Sequence, residues 1–254
     1  MASSFIWYEL LTSDPDAAAA FYGAVLGWTV NDSGQAGMDY RIITMRGVGV
    51  GGLMALPAEA AKTGMRATWL GYVSVADVDA SVAGIVAAGG AVYMPAMDVS
   101  GVGRIAMIAD PQGASIYVMT PIGTGPATSF APRKPGHGGW NELHTTDWAS
   151  ALAFYSAQFG WSKVQAMDMG PMGTYLLFNF GSGDMAGGIV NDSTAPRPYW
   201  LYYFNVDDIE AAQQRVKANG GETLMEPHQV PGGAWIIHVR DPQGALFALV
   251  GSKH

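Results

Sequence analysis

The chain of 254 residues contains no cysteine and little charge. Without thiols there are no disulfides, Cys-ligated metals, thiol nucleophiles or iron–sulfur clusters, which fits a reducing compartment. Charged residues make up 13%, against roughly 25% in an ordinary soluble domain. With 49% hydrophobic residues, that composition excludes a disordered chain. Basic residues are scarce, with Lys+Arg 13 against Asp+Glu 21 and a net charge of −8. The expected partners therefore exclude nucleic acid, for which a basic footprint is missing. They also exclude a membrane surface, for which there is no basic amphipathic stretch. The first basic residue is Arg41, so no positive n-region of a secretory signal is expected and a cytoplasmic location is. A long apolar run is missing too. The uncharged stretch Ala80–Met97 is interrupted by Gly84, Gly89, Gly90 and Pro95 and reads as helix, turn and strand. There is no Walker A loop, no G-x-S-x-G and no H-E-x-x-H. Gly47, Gly49, Gly51 and Gly52 lack the dinucleotide-binding spacing.

What is present is one plan written twice. Phe21–Trp28 (FYGAVLGW) returns as Phe154–Trp161 (FYSAQFGW), 133 residues later. Glu9-Leu10-x-Thr12 returns as Glu142-Leu143-x-Thr145 at the same offset. At an offset of 131, Trp69 and Tyr72 match Trp200 and Tyr203, and Asp110-Pro111-Gln112-Gly113 matches Asp241-Pro242-Gln243-Gly244. The chain is a tandem duplication. The expected division is a domain at 1–122, a Pro- and Gly-rich linker at 123–137, and a second domain at 138–254.

Each half also repeats internally. Four segments run from an Asp to a Gly: Asp14 to Gly27, Asp77 to Gly89, Asp147 to Gly160, and Asp207/Asp208 to Gly220. An Asp carboxylate accepts the orphan N–H groups of a first turn, Pro15 suits the first helical position, and Gly closes a helix. Apolar residues between these caps fall at helical spacing, as with Ala18, Phe21, Tyr22 and Val25. Four helices are predicted. Between them lie short β-like runs such as Phe5–Leu11, Tyr40–Met45, Thr68–Val75 and Ser115–Thr120, with counterparts in the second half. The unit is a strand, a helix and about three strands, four times over: an α+β chain of four βαβββ modules.

That unit, with Phe-Tyr before a Leu-Gly-Trp-like helix end and an Asp-Pro-x-Gly turn near its close, resembles the vicinal oxygen chelate superfamily. This is the group of glyoxalase I, bleomycin-resistance proteins and extradiol dioxygenases. Trp7-x-Glu9-Leu10 and Trp140-Asn141-Glu142-Leu143 are similar to its two-domain bacterial branch. The resemblance covers about Phe5 to Val250. It implies two domains, each of two modules, whose mixed sheets curl into a cup with helices outside. It also implies a divalent metal in the enzymes and a small organic ligand in the resistance proteins. Its ligand positions fall here on Trp7, Gly52, Leu70 and Tyr117, and on Trp140, Gly188, Leu201 and Ala248. Trp, Leu and Ala have no lone pair for Zn²⁺ or Ni²⁺, so no cofactor is expected. A divalent metal (Zn, Ni or Fe) is the alternative.

Other residues carry chemistry of their own. Strand side chains alternate, so Trp7 shares a face with Glu9, and Trp140 with Glu142. Each Glu reads either as a ligand anchor or general base, or as a structural acceptor. Glu9, Glu142 and His144 are the catalytic candidates. Trp7, Tyr72, Tyr117, Trp140, Tyr203 and Trp235 suit a planar or cationic ligand, or fill core. Trp28 and Trp161 read as core. Arg104 favours an anionic ligand if it points inward, and is otherwise a surface residue. All five His lie in the second half: His137, His144, His228, His238 and His254. Glu142, His144 and His238 form the one weak candidate metal set.

Two readings follow. In one, the cups bind a small organic molecule without the family's metal. In the other, the chain is a metal-dependent lyase or isomerase of lactoylglutathione-lyase type, or a dioxygenase. Because tandem duplication supplies both domains covalently, a monomer or weak homodimer is expected.

Overall fold

The computed structural model describes residues 3–254 apart from Ala36, Thr63 and Thr124, with Met172 described in its backbone alone. Thr124, within the expected linker, thus lies outside the described residues. The first half runs β1 (Phe5–Thr12), α1 (Pro15–Leu26), β2 (Thr29–Asp32), β3 (Tyr40–Met45), β4 (Val48–Ala55), the short α2 (Ala58–Lys62), β5 (Thr68–Ser74), α3 (Val78–Ala87), β6 (Ala91–Val99), β7 (Gly103–Ala109) and β8 (Ser115–Pro121). The second half repeats it: β9 (Gly138–Thr145), α4 (Trp148–Phe159), β10 (Ser162–Asp168), β11 (Thr174–Asn179), β12 (Gly187–Asn191), β13 (Tyr199–Asp208), α5 (Ile209–Ala218), β14 (Glu222–Thr223), β15 (His228–Gln229), β16 (Trp235–Arg240) and β17 (Leu246–Ser252). The stretch Ala80–Met97 is most of α3, a turn and most of β6. No described helix is long and apolar enough to cross a membrane.

The four predicted helices start where their Asp residues predict. Asp14, Asp77, Asp147 and Asp208 each accept a backbone N–H of the first turn. Gly27 and Gly160 end α1 and α4 in the left-handed conformation. The strands form two mixed sheets, ordered β2-β3-β4-β1-β5-β8-β7-β6 and β10-β11-β12-β9-β13-β17-β16-β14, with β15 on β16. Pairs β1/β4, β5/β8, β9/β12 and β13/β17 are parallel, and the outer pairs of each sheet are antiparallel. Four βαβββ modules are therefore present, two in each half.

The chain divides into two compact units, and each takes one module from either half. One comprises Met1–Ile6, Gly71–Pro126 and Trp140–Leu201; the other comprises Trp7–Leu70, Ala127–Gly139 and Tyr202–His254. In the first, Trp161 stacks between Tyr155 (5.1 Å) and Phe178 (4.9 Å). Its Nε1 donates to the Ser3 carbonyl at 2.7 Å. In the second, Trp28 packs edge-on to Phe204 at 4.9 Å and its Nε1 donates to the Gly136 carbonyl at 2.8 Å. Both Trp side chains are core, as read from the sequence. Fully burying an aromatic of this kind contributes roughly 1.5–3 kcal/mol.

A second side chain besides Trp28 ties down the segment before β9. Asn205 on β13 donates to the carbonyls of Ala131 (3.2 Å) and His137 (2.9 Å) and accepts from the Arg133 N–H at 3.1 Å.

Candidate functional site

The repeated Trp-x-Glu sits on the strand next to a glycine strand. On β9, Glu142 is paired with Gly188 of β12; on β1, Glu9 is paired with Gly52 of β4. The glycines leave room for a tyrosine from the strand before, β11 or β3. A Cβ on Gly188 would collide with the Tyr175 hydroxyl, and one on Gly52 with the Tyr40 hydroxyl. The Tyr ring lies in that vacated space, where the indole of the first strand reaches it. Trp140 Nε1 donates to Tyr175 Oη at 3.0 Å, and Trp7 Nε1 donates to Tyr40 Oη at 2.9 Å. Both repeats thus build the same Trp–Tyr pair beside a buried Glu (Glu9 3% and Glu142 7% exposed).

In the second repeat the network continues. Tyr175 donates to Glu142 Oε2 at 2.5 Å. The other oxygen, Oε1, accepts from His144 Nε2 at 2.9 Å, and His144 Nδ1 donates to Asp192 Oδ2 at 3.0 Å. An imidazole between two carboxylates donates from both nitrogens only as a cation. Burial alone would lower the His144 pKa, but the hydrogen bonds and charges of Glu142 and Asp192 outweigh it and raise it. Burial would raise Asp192; hydrogen bonds from Thr194 and His144 override it and bring that carboxyl down to about 2. Tyr199 stacks on the imidazole with centroids 4.5 Å apart. Burial, followed by the Glu142 charge, pushes the Tyr175 hydroxyl well above its ordinary range, so it stays a donor. In the first repeat the positions of the imidazole and of the outer carboxylate are hydrocarbon. Leu11 stands where His144 does. Leu56 stands where Asp192 does: the Leu56 N–H donates to Thr12 O (2.7 Å) as the Asp192 N–H donates to Thr145 O (2.8 Å).

The remaining sequence candidates are distributed as follows. Tyr72 and Tyr117 pair across β5 and β8 and stack at 4.3 Å, both buried. Tyr203 meets His238, Oη to Nε2, at 2.9 Å. Glu142 and His144 belong to one compact unit and His238 to the other. Trp235 is covered by the Lys253 ammonium at 4.7 Å. Arg104 donates to Asp79 of α3 at 2.7 Å and to Asp98 of β6 at 3.1 Å, an ion-paired surface position. His228 is exposed on β15, His254 is exposed at the end of the chain, and His137 is buried. Tyr40, Tyr175, Asp192 and Tyr199 complete the clusters and were not picked from the sequence. Gly52 and Gly188 were the available signal, since a repeated glycine inside a strand marks a close approach.

The positions that the family resemblance assigns to metal ligands do not fit a divalent ion. The Trp7 and Trp140 indole nitrogens are donors already committed to Tyr. Leu70, Leu201 and Ala248 are buried hydrocarbon, and the Tyr117 ring is stacked on Tyr72. Among the described residues, no three His, Asp or Glu side chains gather to hold an ion.

A glyoxylase-named protein of Mycobacterium bovis is 33% identical over 247 residues, covering 96% of this chain and 93% of that protein. The anthracycline biosynthesis protein DauV of a Streptomyces species is 33% identical over 260 residues, covering 96% and 91%. The crystal structure of the Mn(II)-bound glyoxalase from Novosphingobium aromaticivorans superposes with a TM-score of 0.69 at 16% identity, covering all of this chain and 83% of that one. Residues 4–118 and 139–249 each match the Glyoxalase/Bleomycin resistance protein/Dioxygenase superfamily. The chain is a member of that superfamily, carrying its domain twice.

Proposed function

We propose that the chain binds a small organic molecule at the Trp–Tyr–Glu clusters of its repeats, without the family's metal. The observation that carries this reading is the Trp140–Tyr175–Glu142–His144–Asp192 chain of hydrogen bonds. It places a buried carboxyl, hydrogen-bonded by a phenol and an imidazole, beside partly exposed aromatic faces. Burying such a group is costly unless it is hydrogen-bonded, and ligand sites set a few fixed polar groups among aromatic and apolar side chains. Trp140 offers a flat contact surface, and Glu142 accepts a hydrogen bond from a ligand hydroxyl or amine. The likeness to DauV supports a planar polycyclic ligand of the aromatic polyketide class. The first repeat, with Leu11 and Leu56 in place of His144 and Asp192, takes a more apolar ligand or a weaker one.

The test is a titration of the dialysed full chain, read by tryptophan fluorescence. The probes are an anthracyclinone and the glutathione–methylglyoxal hemithioacetal. Saturable quenching by the anthracyclinone that is lost in Trp140→Phe, with sub-stoichiometric metal and no turnover of the hemithioacetal under added Zn²⁺, Ni²⁺ or Co²⁺, supports it. One tightly held metal per chain, lost in His144→Ala, would overturn it in favour of a glyoxalase-type lyase.

A further inference from the structure

We infer that a second binding site, for an organic carboxylate with a compact apolar body, lies where the β3–β4 hairpin meets the Lys134–His137 segment. The two elements, in one compact unit, enclose a cleft of about 150 Å³ lined by Met45, Arg46, Val48, Lys134, Pro135 and His137. Met45, Val48 and Pro135 make its walls apolar. An apolar cavity of about this volume takes a benzene ring.

The rim is cationic in an acidic protein. No Asp or Glu occurs between Asp39 and Glu59, or between Asp110 and Glu142. Among the described residues, neither Arg46 nor Lys134 has a carboxylate partner, whereas Arg41, Arg104 and Arg240 each have one. Arg46 is also held in an uncommon backbone conformation. Met45 and Val48 pair across a two-residue turn, which puts Arg46 at φ 51° and Gly47 at φ 80°. A non-glycine residue there is disfavoured. The one other described non-glycine residue with positive φ, Arg133 (66°), adjoins Lys134. Strained backbone of this kind concentrates at ligand clamps.

The floor is His137, 1% exposed. Its Nδ1 lies 3.0 Å from the Pro135 carbonyl, to which it donates. Its Nε2 is buried with no hydrogen-bond partner among the described residues. With Nδ1 donating, Nε2 is the ring's acceptor; a buried polar atom left open is costly, and a water held in the cleft beside the carboxylate would donate to it. An Arg fork and an ammonium on the rim match a carboxylate head, while the walls match the body attached to it.

Trp28 supplies the readout, because its indole N–H donates to the carbonyl of Gly136, next to His137. The full chain, labelled with ¹⁵N, is titrated with benzoate, benzamide and acetate. The expected result is a saturable shift of the Trp28 indole cross-peak with benzoate, with benzamide and acetate at least about tenfold weaker. Arg46→Asn combined with Lys134→Gln should weaken benzoate at least about tenfold; both residues are exposed, so the fold is retained. Val48→Phe, which fills the cleft, should abolish the shift. The inference is overturned if benzoate gives no saturable shift, if benzamide binds as tightly as benzoate, or if neither variant weakens binding.

Discussion

The Tyr22 hydroxyl, on the helix of the first module, donates to the Asp241 carboxylate of the last module's Asp-Pro-Gln-Gly turn at 3.0 Å. Tyr155 does the same to Asp110 at 3.0 Å. Each Asp also closes its own turn: Oδ1 of Asp241 accepts from the N–H groups of Gln243 and Ala245, and Oδ1 of Asp110 from those of Gln112 and Ala114. Burial raises the pKa of both carboxyls, and these hydrogen bonds counter it. Tyr22→Phe removes a donor to a buried carboxylate and an acceptor for Trp69 Nε1. It should cost about 2 kcal/mol near neutral pH. The deficit should shrink as pH falls and Asp241 takes up its proton. Urea unfolding at two pH values checks both statements.

The His144 cluster makes stability depend on pH in two directions. The folded His144 pKa is raised, so its contribution is complete below the unfolded value of about 6.5 and disappears as pH rises through the folded value. The folded Asp192 pKa is lowered to about 2; its contribution is complete above about 3.9 and disappears as pH falls through about 2. The cluster therefore stabilises most between about pH 4 and 6.5. Unfolding free energies from pH 2 to 9 should show that window, and His144→Leu should flatten it.

The first repeat suggests how the cluster can be dismantled without collapse. His144→Leu alone takes a shared donor from two carboxylates, leaves one oxygen of each facing hydrocarbon, and should cost roughly 3–5 kcal/mol. His144→Leu with Asp192→Leu copies the Leu11 and Leu56 arrangement, so the double variant should recover much of that loss. Thermal melts of the two variants side by side decide it; a double variant no more stable than the single would count against the equivalence.

Gly188→Ala should displace Tyr175 from its hydrogen bonds with Trp140 and Glu142. Overpacking of this sort costs about 1–3 kcal/mol. The Trp140 indole N–H signal should move, whereas a glycine kept for backbone freedom alone would leave it unchanged. Gly52→Ala should act the same way on Tyr40 and Trp7.

The modules were legible because their marks are local. An Asp before and a Gly after an apolar helix, and a Pro-containing turn, depend on neighbours a few residues away. The two-residue spacing of Trp140 and Glu142 likewise placed them on one face. Tyr175 and Asp192 reach the same cluster through strand pairing, 33 and 48 residues away from Glu142 and His144, and no local pattern announces register across two strands. Arg104 illustrates a different gap. Strand position leaves its direction open, and a helix carboxylate, Asp79, takes up its guanidinium.

The exchange of modules bears on how the chain is made. A ribosome releases Tyr22 and Asp110 long before Asp241 and Tyr155, so neither half can complete its own turn-to-helix bond while it emerges alone. Folding then waits on contacts more than 200 residues apart in the case of Tyr22 and Asp241, a topology that slows folding and exposes apolar surface. A first half cut free at the linker carries one unmatched tyrosine and one unmatched aspartate, and two such fragments can satisfy each other. Severed halves should therefore self-associate, or reassemble when mixed.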